Sequence, residues 1–168
     1  NFNINIAEPG SNRLTLEGIY SNHTITYTNV VNPLFLKCRL KKVTYYNGNS
    51  TSVLKDASFI HCRIAEQLYL GSNCSASCVN SVIQAPHSYN DYTSNFEFIN
   101  CVIVYTGSYN FLGGVKSSSF KNCIIRGVDS NNDYLYSSNT AYNCIGLRNS
   151  NMFKNVTNAT NKIVTDFA

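Results

Sequence analysis

The chain has 168 residues, with 13 Lys plus Arg against 9 Asp plus Glu, a formal charge of +4 and only 13% charged residues. Charge is about half of the ~25% usual in soluble domains, and 25 Asn, 19 Ser and 12 Thr fill the difference. No apolar run approaches the ~18–20 residues of a membrane-spanning helix, strong helix formers are too scarce for a helical bundle, and a 43% hydrophobic content argues against disorder.

The chain opens on Asn1 without an apolar signal segment. It reads as a mature secreted or cell-surface chain whose targeting signal is absent, in keeping with its Asn, Ser, Thr and Tyr richness. Residues 1–30 are irregular. Leu14, Leu16 and Thr24 to Thr28 alternate like strands and are expected to form opening turns or a cap.

From residue 31 to 156 a repeat governs the pattern. Phe35-Leu36-Lys37-Cys38-Arg39-Leu40 aligns with Phe59-Ile60-His61-Cys62-Arg63-Ile64, then with Cys78-Val79-Asn80-Ser81-Val82-Ile83. Phe98-Ile99-Asn100-Cys101-Val102-Ile103 and Phe120-Lys121-Asn122-Cys123-Ile124-Ile125 follow, and then Ala141-Tyr142-Asn143-Cys144-Ile145-Gly146. The Cys positions 38, 62, 81, 101, 123 and 144 are 24, 19, 20, 22 and 21 apart. A weaker signal near Leu54, Leu70, Leu112 and Leu135 suggests a third short strand in each turn. Residues 157–168 have strand character and no stop signal, so they read as a terminal strand or the start of a continuation past Ala168.

Three short strands per ~21-residue turn cannot bury their apolar sides alone, but turns stacked ~4.8 Å apart can. The expected fold is all-β: one domain, 1–168, wound as a single-stranded right-handed parallel β-helix, or β-solenoid, of six to seven turns. Strand alternation turns Cys and the Ile two residues later inward. Arg39, Arg63, Val82, Val102 and Ile124 point outward. The Asn before Cys falls at the bend, where Asn tolerates a left-handed conformation and stacked amides can bond from turn to turn. That column runs His61, Asn80, Asn100, Asn122, Asn143, and the ladder is expected to fail at Lys37.

Phe-x-Asn-Cys-x-Ile at this period resembles right-handed parallel β-helix proteins of the pectin-lyase-like superfamily, and more narrowly secreted β-helix proteins of gut bacteria with no assigned activity. The resemblance covers roughly residues 30–156 and implies the fold. It leaves function open, because this architecture hosts lyases, hydrolases, adhesins and stalks.

Few residues carry chemistry. Seven Cys is an odd number, so at least one thiol stays unpaired. The inward column Cys38, Cys62, Cys101, Cys123 and Cys144 reads as buried free thiols, and Cys74–Cys78 is the candidate disulfide. No paired carboxylates recur at matching offsets, so no catalytic residue is assigned. Asp129-x-Asn131-x-Asp133 begins like a calcium loop, but Tyr134 stands where a Gly belongs. No metal site and no cofactor is expected. Lys37, Arg39 and Lys41 alternate, and Arg63 repeats the offset of Arg39. This basic stripe is either an anion site for uronate or sulfate groups or a solvated edge. Tyr45, Tyr46 and Tyr69 follow the Cys strands by seven or eight residues and are candidate sugar-stacking surfaces.

The leading functional expectation is a non-catalytic extracellular module, an adhesin-like or glycan-binding surface stalk with a polysaccharide or surface glycan as partner. The alternatives are a polysaccharide lyase or glycoside hydrolase of pectin-lyase type, or a fragment of one, and a purely structural spacer. Neither nucleic acid nor a membrane span is expected.

Overall fold

In a computed structural model, the structure describes residues 4–7, 14–28, 32–45, 54–71, 74–88, 95–105, 117–127, 135, 138–147, 152–153, 156 and 160–164. Among these there are strands and no helix. In chain order they are β1 (Ile4–Ala7), β2 (Thr15–Glu17), β3 (Tyr20–Thr28), β4 (Leu34–Leu36), β5 (Arg39–Tyr45), β6 (Leu54–Ile60), β7 (Arg63–Leu70), β8 (Cys74–Val79) and β9 (Val82–Gln84). There follow β10 (Pro86–Ser88), β11 (Asn95–Ile99), β12 (Val102–Val104), β13 (Ser119–Lys121), β14 (Ile124–Arg126), β15 (Thr140–Tyr142), β16 (Ile145–Leu147) and β17 (Lys162–Val164).

Every strand pair is parallel. The larger sheet runs β1-β3-β5-β7-β9-β12-β14-β16-β17, with β10 beside β7. The smaller sheet runs β15-β13-β11-β8-β6-β4-β2. The chain therefore passes from one sheet to the other at each turn, which makes a parallel β-solenoid. The six Cys-column positions from 38 to 144 enclose five complete turns, slightly fewer than the six to seven expected.

The third strand of each turn takes a different form from the one expected. In the early turns it is the far half of a long strand of the larger sheet. β3 and β5 shift register between Ser21 and Thr24, and β5 and β7 between Leu40 and Lys42. Beyond the shift Val43 pairs with Leu68, and Leu68 with Pro86 of the separate β10. Leu54 and Leu70 fall inside β6 and β7, Leu135 is buried outside any strand, and Leu112 lies outside the described residues.

The interior is built from stacked columns. Leu16, Phe35, Phe59, Cys78, Phe98, Phe120 and Ala141 are in register. Phe35 stacks on Phe59 at 4.5 Å and Phe98 on Phe120 at 5.1 Å. Opposite them Leu40, Ile64, Ile83, Ile103 and Ile125 are at most 2% exposed. Gly146 holds the next place in this column, where Met152 and Phe153 fill the space: an added Cβ would lie 3.1 Å from the Met152 side chain and 3.0 Å from the Phe153 ring.

The bend between the sheets repeats in one conformation. Lys37, His61, Asn80, Asn100, Asn122 and Asn143 have φ between 50° and 54°, and Gly18 at 68° holds the same place in the opening turn. Each of these residues but the last donates its N–H to a carbonyl of the following turn, as Asn100 does to Lys121 at 2.9 Å and Asn122 to Tyr142 at 3.0 Å. Left-handed backbone costs roughly 1–2 kcal/mol for most residues and least for Gly and Asn. The amides add a ladder: Asn143 donates to Asn122 at 3.0 Å, and Asn122 to Asn100 at 3.1 Å. As expected, Lys37 contributes no amide; its ammonium instead meets Glu17 at 3.3 Å.

Just past the bend the thiols close the corner. Cys62 Sγ lies 3.4 Å from the carbonyl oxygens of Phe35 and Ile60, and Cys101 Sγ 3.2 Å from that of Cys78. Ser81 does the same with its hydroxyl, 2.8 Å from the Val79 oxygen, and also accepts the Cys62 N–H. After Cys144 the place passes to Asn161, whose amide oxygen accepts the Cys144 N–H at 2.8 Å.

The bend yields a test. Asn122→Ala loses two amide bonds and keeps the left-handed requirement, so it should cost roughly 1–3 kcal/mol in urea unfolding. Asn122→Gly, which meets the conformational requirement, should cost clearly less. Equal losses would show that φ at the bend is not what Asn supplies.

Candidate basic cleft on the outer face of the larger sheet

The outward residue at the start of each larger-sheet strand forms a column. Tyr20 pairs with Arg39 and Arg39 with Arg63, so the two guanidinium stems leave the sheet on the same side, one strand spacing (~4.8 Å) apart. Both are exposed. Tyr20 is 69% exposed beside them.

The two register shifts next to this column are bulges, which bend a strand and re-aim its side chains. They open the sheet surface into a depression of about 470 Å³, walled by Tyr20, Asn22, Arg39, Lys41, Arg63 and Glu66. Ser21, Leu40 and Ala65 complete its lining.

Its electrostatics are unbalanced. Lys41 meets Glu66 at 3.2 Å, and the Lys37–Glu17 pair stands apart at the bend. Both pairs are solvent-exposed, a setting in which an ion pair contributes about 0–1 kcal/mol. Among the described residues no carboxylate pairs with Arg39 or Arg63. Like charges directly opposite across strands are destabilising, and an anion held between two guanidinium groups relieves that repulsion while gaining bidentate hydrogen bonds.

The structure joins Arg39, Lys41 and Arg63 as the sequence suggested, and removes Lys37 from the group. Lys37 occupies the left-handed bend, outside β5, so the alternation that was to align it with Arg39 does not reach it. Tyr69 is half-buried on the far half of β7, its ring 5.5 Å from that of His87, and does not line the depression. Tyr45 ends β5, but its side chain lies outside the described residues, as do Tyr46 and the Asp129 to Asp133 triplet. Tyr20 and Asn22 went unread. The signal was present: Leu16-x-Gly18-Ile19-Tyr20-Ser21 precedes Phe35-x-Lys37-Cys38-Arg39-Leu40 by 19 residues.

The candidate disulfide is corrected. All seven cysteines are free and buried. Cys74 and Cys78 belong to the regular strand β8, and both face inward. Four residues of extended chain separate their Cα atoms by ~13 Å, far beyond the ~7 Å a disulfide spans.

Burial is the leading cause that raises the Cys62 and Cys74 thiols to about 11. Cys123 is raised to about 11, chiefly by its hydrogen bond with the Cys101 side chain. Cys144 goes up first through its hydrogen bond with Cys123 and then through burial. These are protonated, structural groups. Among the described residues no group of three or more His, Cys, Asp or Glu side chains could hold a metal ion.

Compared with known proteins, the chain matches no family model, no curated protein and no solved structure. Its class therefore rests on register and columns: it is a parallel β-solenoid. No helix among its described residues is long and apolar enough to cross a membrane.

Thiols raised on folding stabilise the protein while protonated. That stabilisation is complete below the ordinary value of 9.0 and is lost as pH rises through about 11. The urea midpoint should hold steady across neutral pH and fall over that interval, and a maleimide reagent should label none of the seven thiols at pH 7 without denaturant. Rapid native labelling of Cys101 or Cys123 would contradict their placement.

Proposed function

We propose that this chain is a non-catalytic, secreted or cell-surface β-solenoid module that binds anionic glycans through the outer face of its early turns. The carrying observation is the stacked Arg39 and Arg63, without a carboxylate partner among the described residues, in a depression beside the exposed ring of Tyr20. Uronate or sulfate groups would lie against the two guanidinium groups, with Lys41 at the rim and Tyr20 as the flat surface for a sugar ring. Within a pectin-lyase-like architecture this is a binding face rather than a catalytic one. An eliminating lyase needs a base beside a group that neutralises the uronate, and among the described residues the carboxylate that lines the depression, Glu66, is engaged by Lys41.

Exposed cation–anion contacts are worth about 0–1 kcal/mol each, so affinity comes from several at once and falls as salt shortens the screening length to ~8 Å. Polygalacturonate and heparin, titrated at low and at physiological salt, should bind the parent and bind Arg39→Ser/Arg63→Ser about tenfold more weakly. The double variant should retain the parent's thermal stability. An unchanged titration, or no binding by the parent at low salt, would leave a structural spacer. Release of unsaturated uronate products would make the chain a lyase.

A further inference from the structure

The column that begins Tyr20-Arg39-Arg63 continues in unbroken register as Val82, Val102, Ile124, Ile145 and finally Lys162. Its middle is aliphatic and open: Val82 is 40% exposed, Ile124 38% and Ile145 37%. Arg126 lies exposed beside it, two residues beyond Ile124, in register with Val104 and Leu147. The outer face of the larger sheet thus carries cations at both ends and β-branched side chains between them. Among the described residues its one acidic side chain is Glu66, already held by Lys41. The smaller sheet is unlike it. There Glu17 and Glu97 face outward, Ser77 bonds Glu97 at 3.1 Å, and the sheet's own aliphatic row, Leu36, Ile60, Val79 and Ile99, is half-buried instead of exposed.

We propose that the outer face of the larger sheet docks onto an anionic lipid bilayer, with Ile124, Ile145 and Val82 pressed into the headgroup boundary and Arg39, Arg63, Arg126 and Lys162 on the phosphates. A flat row of aliphatics between cations, with a Tyr at its margin, combines the two attractions that hold a peripheral protein to an anionic membrane: buried apolar area and charge. Tyr is a residue of the membrane–water interface. A second copy of the chain fits poorly. Stacked face to face by an antiparallel two-fold, the columns would bury Arg39 against Ile145 and Arg63 against Ile124, leaving unpaired charges in an apolar contact. The aliphatic row is also one to two residues wide, well short of the ~800 Å² per partner of a stable protein interface. The docking inference goes beyond the glycan reading and does not depend on it, although the two share Arg39 and Arg63.

Sedimentation with vesicles tests it, using phosphatidylcholine alone and phosphatidylcholine with about a third phosphatidylglycerol. The parent should partition onto the anionic vesicles and far less onto the neutral ones. Arg39→Ser/Arg63→Ser should weaken partitioning by about 30-fold, from ~1 kcal/mol per cation near an anionic surface. Ile124→Thr/Ile145→Thr, which keeps β-branching and so the strands, should weaken it by about fivefold or more while leaving heparin titration unchanged. Lys121→Ser on the smaller sheet should change neither. No partitioning onto anionic vesicles, equal partitioning onto neutral ones, or an unaffected Ile124→Thr/Ile145→Thr variant would overturn the proposal. So would an equal loss in Lys121→Ser. A doubling of solution mass without vesicles, abolished in the isoleucine variant, would overturn it in favour of a second copy. Failure of heparin binding with vesicle binding intact would instead remove only the glycan reading.

Discussion

The hydrogen bond from the left-handed bend residues, Gly18 through Asn122, to a carbonyl of the following turn is the constraint on which the rest of the molecule hangs. At the bend the chain leaves one sheet for the other, and there one N–H per turn is aimed along the solenoid axis instead of within the turn. The φ near 50° that makes this possible is repeated from Lys37 to Asn143. With the corner fixed, Phe and Cys equivalents fall on opposite sides of it at constant offset, so period-two alternation carries both strands' inner residues into register. The sulfur column reinforces the same corner, each thiol lying against the carbonyls of its own and the preceding turn. Such a thiol satisfies polar backbone while filling space as a small hydrophobe.

That corner also decides the charge pattern of the surface. Because the residue after Cys always points outward, whatever it is stacks on its counterpart in the next turn. Two arginines at equivalent offsets must become neighbours, and four aliphatic residues at the following offsets must form a continuous row. The outer face is as periodic as the core, and its chemistry changes from turn to turn while its geometry does not.

Most of this was legible because Phe-x-Asn-Cys-x-Ile names its own geometry: volume at Phe and Ile, conformational tolerance at Asn, compactness at Cys. What escaped notice did so where another residue met the same physical requirement. In the opening turn Leu16 stands for Phe, Gly18 for Asn and Ile19 for Cys, so a regular turn looked irregular and Tyr20 was not placed beside Arg39. Lys37 was misplaced because alternation was counted through a bend that resets its phase. The bulges after Ser21 and Leu40 likewise change which residues share a side, and no residue type there announces them. The Ser-rich stretch before Cys78 carries no large apolar side chain. Its Cys74, Ala76 and Cys78 are a core column built of small side chains.

A molecule held together corner by corner behaves as a one-dimensional chain of couplings, each turn fastened to the two beside it and to nothing further away. The intervals between corners vary from 19 to 24 residues without disturbing the columns, so excess length is absorbed away from the corner. Duplicating or deleting a whole turn would therefore change the reach of the molecule by ~4.8 Å and leave its neighbours' environment intact. In evolutionary terms the solenoid is a ruler: gene-level copying of one repeat adds one graduation to it, and with it one more outward residue available for selection.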